Sequence, residues 1–130
     1  MSTNARLKLA AVILVMSVVT FGVLASPALA RRGDHLPKHR PYTVKVIERV
    51  GRKYKLPRAD IQALIVLAYR ESSWNPRCVT GNCYGLFQVQ RPCGSWRNPA
   101  WNTGRAIRDI RKVYKTPRRA LAHSFRHGWY

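Results

Sequence analysis

One apolar run constrains this chain more than any other feature. Residues 59 to 70 read ADIQALIVLAYR, continue into Glu71-Ser72-Ser73-Trp74-Asn75, and stop at Pro76. Ile61, Leu64, Ile65, Leu67 and Ala68 cover most of the circumference of a helix, and a helix apolar on nearly all sides has to be the buried centre of its domain. Pro57 suits its first turn, and Asp60 near the N-terminus is favoured by the macrodipole. Pro76 restricts the residue before it, so the helix cannot pass Asn75.

The flanking segments supply elements to pack on that centre. Val46, Ile47, Val50 and Tyr54 recur at helical spacing after Pro41 as far as Lys55, which predicts a first amphipathic helix. Thr80-Gly81-Asn82 is a turn signal. The stretch Tyr84-Gly-Leu-Phe-Gln-Val-Gln90, rich in aromatic and β-branched residues, predicts a short strand or extended loop. Helical spacing returns at Ala106, Ile107, Ile110, Val113 and Tyr114. A last helix is expected from Pro117, capped by Thr116, with Leu121 and Phe125 on one face. The fold class is therefore mainly α, a small helical domain with a short β-hairpin or extended excursion directly after the central helix.

Residues 1–30 are set apart from the folded part. Arg6 and Lys8, an apolar stretch from Leu9 to Leu24 and the ending Ser26-Pro-Ala-Leu-Ala30 are the parts of a signal peptide cleaved after Ala30. Retained, the segment would instead be a membrane anchor, although it is short for one. Residues 31–41 are a basic, turn-rich linker, and residues 42–130 form one domain, expected to be a monomer. Beyond the leader, 22 basic residues face five acidic ones, a net charge of +17. Such a charge seeks polyanions without saying which; for an exported protein these are anionic cell-wall polymers, lipid headgroups and released nucleic acid, with no specific nucleic acid expected.

Cys78, Cys83 and Cys93 lie within sixteen residues and suggest, in an exported protein, one disulfide of undetermined pairing and one remaining thiol. Their spacing lacks the paired knuckles of a zinc site. The histidine pairs His35/His39 and His123/His127 have no third ligand nearby, so neither metal nor cofactor is expected.

Glu71 is the singular residue. At helical spacing it lies roughly 20° from Leu64 and 60° from Ala68, so it continues the apolar stripe into the last turn. Burial and the negative end of the helix dipole both raise a carboxyl pKa, and a carboxylic acid still protonated near neutral pH is what acid-catalysed glycosidic cleavage needs. The ordinary alternative is an ion pair with Arg70 or Arg77. The remaining carboxylates of the domain have simple helix roles: Glu48 with Arg52, Asp60 at a helix start, and Asp109 between Arg105 and Lys112.

Glu71-Ser72-x-Trp74-Asn75-Pro76, followed by Tyr84-Gly85-Leu86-Phe87-Gln88-Val89, resembles the E-S-x-W-N-P…G-L-M-Q-I signature of the soluble lytic transglycosylase catalytic domain, in the lysozyme-like superfamily. The resemblance implies a lysozyme-like α+β fold and cleavage of the β-1,4 bond between N-acetylmuramic acid and N-acetylglucosamine in peptidoglycan glycan strands. It implies Glu71 as the catalytic acid and base, leaving 1,6-anhydromuramyl ends. It further implies substrate contacts from Ser72, Thr80, Gly85, Gln88 and Asn102, with Gly85 admitting the sugar to the backbone; a helix cap is the alternative for Asn102. Two positions depart from the pattern: Gln90, where a Met is common, and Phe125, where a Tyr is usual. The missing hydroxyl would then come from Tyr84, Tyr130 or water. A hydrolase using the same Glu71, and a non-catalytic cationic wall-binding protein, are the alternative activities.

Overall fold

The computed structural model describes residues 36–90 and 94–130. The expected signal peptide, residues 31–35 of the linker with His35 among them, and Cys93 lie outside these residues. Four helices and a small sheet follow one another: α1 Tyr42–Lys53, α2 Arg58–Ser72, β1 Val79–Thr80, β2 Cys83–Tyr84, β3 Val89–Gln90, α3 Pro99–Val113 and α4 Pro117–His127. Among the described residues no helix is long and apolar enough to cross a membrane.

The apolar run forms the central helix. α2 packs against α1 on one side and α4 on the other, while α3 closes the bundle against α1, α4 and β3. Leu64, Ile65, Leu67 and Ala68 have no exposed surface, and Ile47, Leu86, Ile107 and Ile110 meet them from the neighbouring elements. Each such side chain contributes about 2 kcal/mol by leaving water, so this one helix organises the domain. Val113 departs from the expectation: it keeps helical spacing but is 68% exposed, because α3 ends there beyond the edge of the core.

The end of α2 is sharper than Pro76 alone requires. Ser73 and Trp74 both take left-handed backbone conformations, with φ of 51° and 63°. Such geometry costs a non-glycine residue about 1–3 kcal/mol. Burial of Trp74 offsets it: the indole folds back along α2, donates from Nε1 to the Ile65 carbonyl at 2.9 Å and packs on Tyr69. Thr43 of α1 donates to the Trp74 carbonyl and holds the turn from the other side.

The excursion after α2 is a three-stranded antiparallel sheet in the order β1-β2-β3. Tyr84–Gln90 is not one strand, since the chain reverses between Gly85 (φ +78°) and Gln88 (φ +47°) and returns as β3. Thr80 pairs with Cys83, and Cys83 with Gln90, so these three side chains form one cross-strand row on a common face.

One helix start follows a different residue from the one expected, and another follows the expectation. Asn98 caps α3, its side chain accepting from the Ala100 and Trp101 N–H groups, and Asn102 lies inside the helix. Thr116 caps α4 as its sequence suggests, accepting from Arg119 N–H. Asp60, expected only to meet a helix dipole, is 3% exposed and accepts from both the side chain and main chain of Arg118, which ties the first turn of α2 to that of α4. Glu48 and Arg52 form no ion pair; among the described residues the ion pairs are Arg105–Asp109 and Arg118–Asp60.

Candidate active site

Glu71 sits in the last turn of the central helix, partly buried and outside both ion pairs. Neither arginine beside it in sequence is its partner. Arg70 turns to α4, donating to the Ser124 hydroxyl at 3.0 Å and the Ser124 carbonyl at 3.1 Å with its guanidinium over the Phe125 ring. Asn75 holds the Arg77 main chain in a tight turn. Burial raises the Glu71 carboxyl above its ordinary range, and the Arg70 charge opposes that shift without cancelling it.

Two groups from elsewhere in the chain lie within electrostatic reach. The Cys83 thiol on β2 is raised by burial and then by the Glu71 charge. The Tyr130 phenol is raised well above its ordinary value, first by burial and next by Glu71. Its hydroxyl donates to the Phe87 carbonyl at 2.9 Å, so Tyr130 spans from the end of the chain to the turn between β2 and β3. Cys83 is thus a neutral thiol at physiological pH and a poor nucleophile. Its row-mates Thr80 and Gln90 are both exposed on the same face of the sheet.

The β2–β3 turn is held from three sides. Ser72 shares its hydroxyl between the carbonyls of Ala68 and Leu86, at 3.0 and 2.9 Å. Asn102, with no exposed surface, accepts from Phe87 N–H at 2.9 Å and donates to the carbonyls of Tyr84 and Trp96. These are the interactions of a strut, and they occupy the polar groups of both residues. Gly85 serves the same joint: a Cβ there would run into the Asn102 amide and stand 2.9 Å from the Trp96 carbonyl. The space a Cβ at Gly85 would take is filled by Asn102.

Gln88 donates from Nε2 to the carbonyls of Gly85 and Cys78, while its Oε1 is the one buried side-chain polar atom without a partner among the described residues. An unsatisfied buried acceptor is costly. Tyr84 packs edge-on against Trp96, Phe125 lies under Arg70 and carries no hydroxyl, and the Tyr130 phenol lies within electrostatic reach of Glu71. Cys78 and Cys83 are both unpaired, and no disulfide forms among the described residues. The rings of His123 and His127 stack 4.3 Å apart, with His123 Nδ1 against the Trp129 carbonyl. No group of three or more potential metal ligands occurs among the described residues.

Helical spacing puts Glu71 on the apolar stripe but carries no information about its surroundings. Arg70's turn toward Ser124 had no local signal, and Cys83 entered only as a disulfide candidate. The chain has no match among known protein families, characterised proteins or solved structures.

Proposed function

We propose that this protein is an exported peptidoglycan lytic transglycosylase on a lysozyme-like α+β fold, with Glu71 as its general acid and base. The observation that carries this reading is the carboxylate itself: partly buried, raised by that burial, and without an ion-pair partner among the described residues at the end of the central helix. In a chain this basic, a carboxyl raised by burial at the end of the central helix, with no arginine partner among the described residues, is suited to proton transfer. Asp60 and Asp109 are committed to Arg118 and Arg105, which favours a mechanism with one carboxyl over one with two.

Protonated Glu71 donates its proton to the glycosidic oxygen as the bond to muramyl C1 breaks, and N-acetylglucosamine leaves with a free 4-hydroxyl. The resulting Glu71 carboxylate then accepts the proton of the muramyl C6 hydroxyl. The C6 oxygen bonds to C1, closing the 1,6-anhydro ring without consuming water. Gln88 Oε1 accepts a sugar hydroxyl, and Thr80 and Gln90 offer polar contacts along the sheet face that includes Cys83. Ser72, Gly85 and Asn102 act at one remove, holding the turn that presents Gln88.

Wild type and Glu71→Gln on purified peptidoglycan, with mass spectrometry of the released muropeptides, test the proposal. Expected products are lighter than reducing-end muropeptides by one water and disappear in the variant. Reducing ends alone would assign a hydrolase instead. Wall binding with no bond cleavage by wild type would assign a cationic wall-binding protein.

A further inference from the structure

A cleft of about 430 Å³ opens between the C-terminal end of α1 and the first half of α3, away from Glu71. On α3 it takes Trp101, Gly104 and Arg108, a stripe roughly a third of a turn around the helix from Asn102, which faces the sheet. Arg49 and Lys53, one turn apart on α1, stand on the opposite rim. Both are exposed and neither is in an ion pair among the described residues. Among the described residues no carboxylate lines the cleft. Three cations therefore converge on one concavity with no counter-charge, a repulsive arrangement that a bound polyanion would relieve.

The cations are oriented as well as present. Arg108 donates from Nη1 to Tyr54 Oη at 2.9 Å, which aims the guanidinium and leaves its other N–H groups unused by that bond. Arg111 lies over the Tyr54 ring and donates to the Tyr54 carbonyl. Gly104 gives the cleft its depth, since a Cβ there would stand 3.1 Å from Tyr54 Oη. Val50 and Ala100 supply an apolar wall.

We propose that this cleft is a second binding site, for a phosphodiester-linked glycopolymer. Arg49, Lys53 and Arg108 hold the phosphate oxygens, and the Val50 wall takes the apolar edge of the sugar or polyol between them. Arginine and lysine suit phosphate through charge-assisted hydrogen bonds. Single-stranded nucleic acid fits less well, because base stacking needs free aromatic faces, whereas Arg111 covers Tyr54 and Trp101 packs against the core. The choice of a wall-type polymer rests on the exported, wall-directed reading above; the site itself does not depend on Glu71.

The test measures binding of the full chain to synthetic poly(glycerol phosphate) by calorimetry, for wild type, for Arg49→Gln/Lys53→Gln/Arg108→Gln, and for Lys112→Gln/Arg119→Gln/Arg126→Gln. The last variant loses the same charge from exposed positions outside the cleft. The cleft variant should bind about ten-fold or more weakly, and the control only about two-fold, because site contacts and overall field act differently. Equal losses in both variants would overturn the site. Tighter wild-type binding to a single-stranded oligonucleotide of equal charge would overturn the ligand class. Cleavage of phosphate-stripped peptidoglycan should be unchanged in the cleft variant, and Glu71→Gln should bind the polymer like wild type, so failure of either reading is distinguished from failure of the other.

Discussion

Asn102→Ala should unfasten the β2–β3 turn and destabilise the whole domain. The side chain is fully buried and makes three hydrogen bonds, to Phe87 N–H, Tyr84 C=O and Trp96 C=O. Each main-chain group left unpaired in a buried site costs about 1–3 kcal/mol. The turn can shift toward water and recover part of this, so the net loss is about 3–5 kcal/mol, a large share of the 5–15 kcal/mol typical of a domain. At about 4–8 °C per kcal/mol for a domain of this size, the melting temperature falls by about 12–40 °C. Thermal unfolding by circular dichroism measures the fall, and hydrogen exchange at the Phe87 amide reports the released turn. Asn102→Leu keeps the volume and loses the same three bonds, so it should be about as unstable as the alanine variant. A leucine variant that melts within a few degrees of wild type would refute the reasoning and assign the role to packing. Gly85→Ala is also destabilising through its positive φ and its collision with Asn102, and part of that cost should vanish in the Asn102→Ala background.

Glu71→Gln should abolish glycan cleavage, a loss of about 10²-fold or more for a general acid, while making the protein more stable at neutral pH. A carboxyl raised in the folded state contributes stability that is present below the ordinary carboxyl range and is lost as pH rises through the raised value. The glutamine variant should therefore melt above wild type at pH 7.5, by about 0.5–1 kcal/mol at this helix end, and level with it near pH 4; a lower melting point at pH 7.5 would show that Glu71 has a stabilising partner. Arg118→Ala should cost more than Asp60→Asn in urea unfolding, because it leaves a 3%-exposed carboxylate without its cation, whereas Arg118 stripped of Asp60 is free to enter water. Tyr130→Phe should cost about 1 kcal/mol from the lost bond to Phe87 C=O. In wild type, alkaline titration followed by ultraviolet absorbance should show Tyr130 ionising above the ordinary tyrosine range, with stability falling as pH rises through that transition.

Local patterns made much of the helical frame legible. The fourfold recurrence of apolar residues in α1, α2 and α3, together with Pro117 after Thr116, is information carried within one or two turns, and the helices lie close to where those patterns place them. Glu71 was legible for the same reason, since helical spacing from Leu64 and Ala68 turns it toward the core side of α2. Tyr84–Gln90 misled because β-branched and aromatic composition signals extended chain without saying where it folds back. The reversal is set by the backbone at Gly85 and Gln88 and by the carbonyls that receive the Gln88 amide.

What the amino-acid sequence determined by itself is a buried central helix, its surrounding amphipathic partners, and a carboxylate carried to the end of that helix on its apolar side. Tertiary structure alone decided that Arg70 would leave Glu71 for Ser124, that Asp60 would meet Arg118, and that Asn102 would brace the turn carrying Gln88. Those contacts join residues from 15 to 58 positions apart. Periodicity reports only which side of an element faces inward. A polar side chain finds its partner only when packing has brought two inward faces together and excluded the water that would otherwise satisfy both.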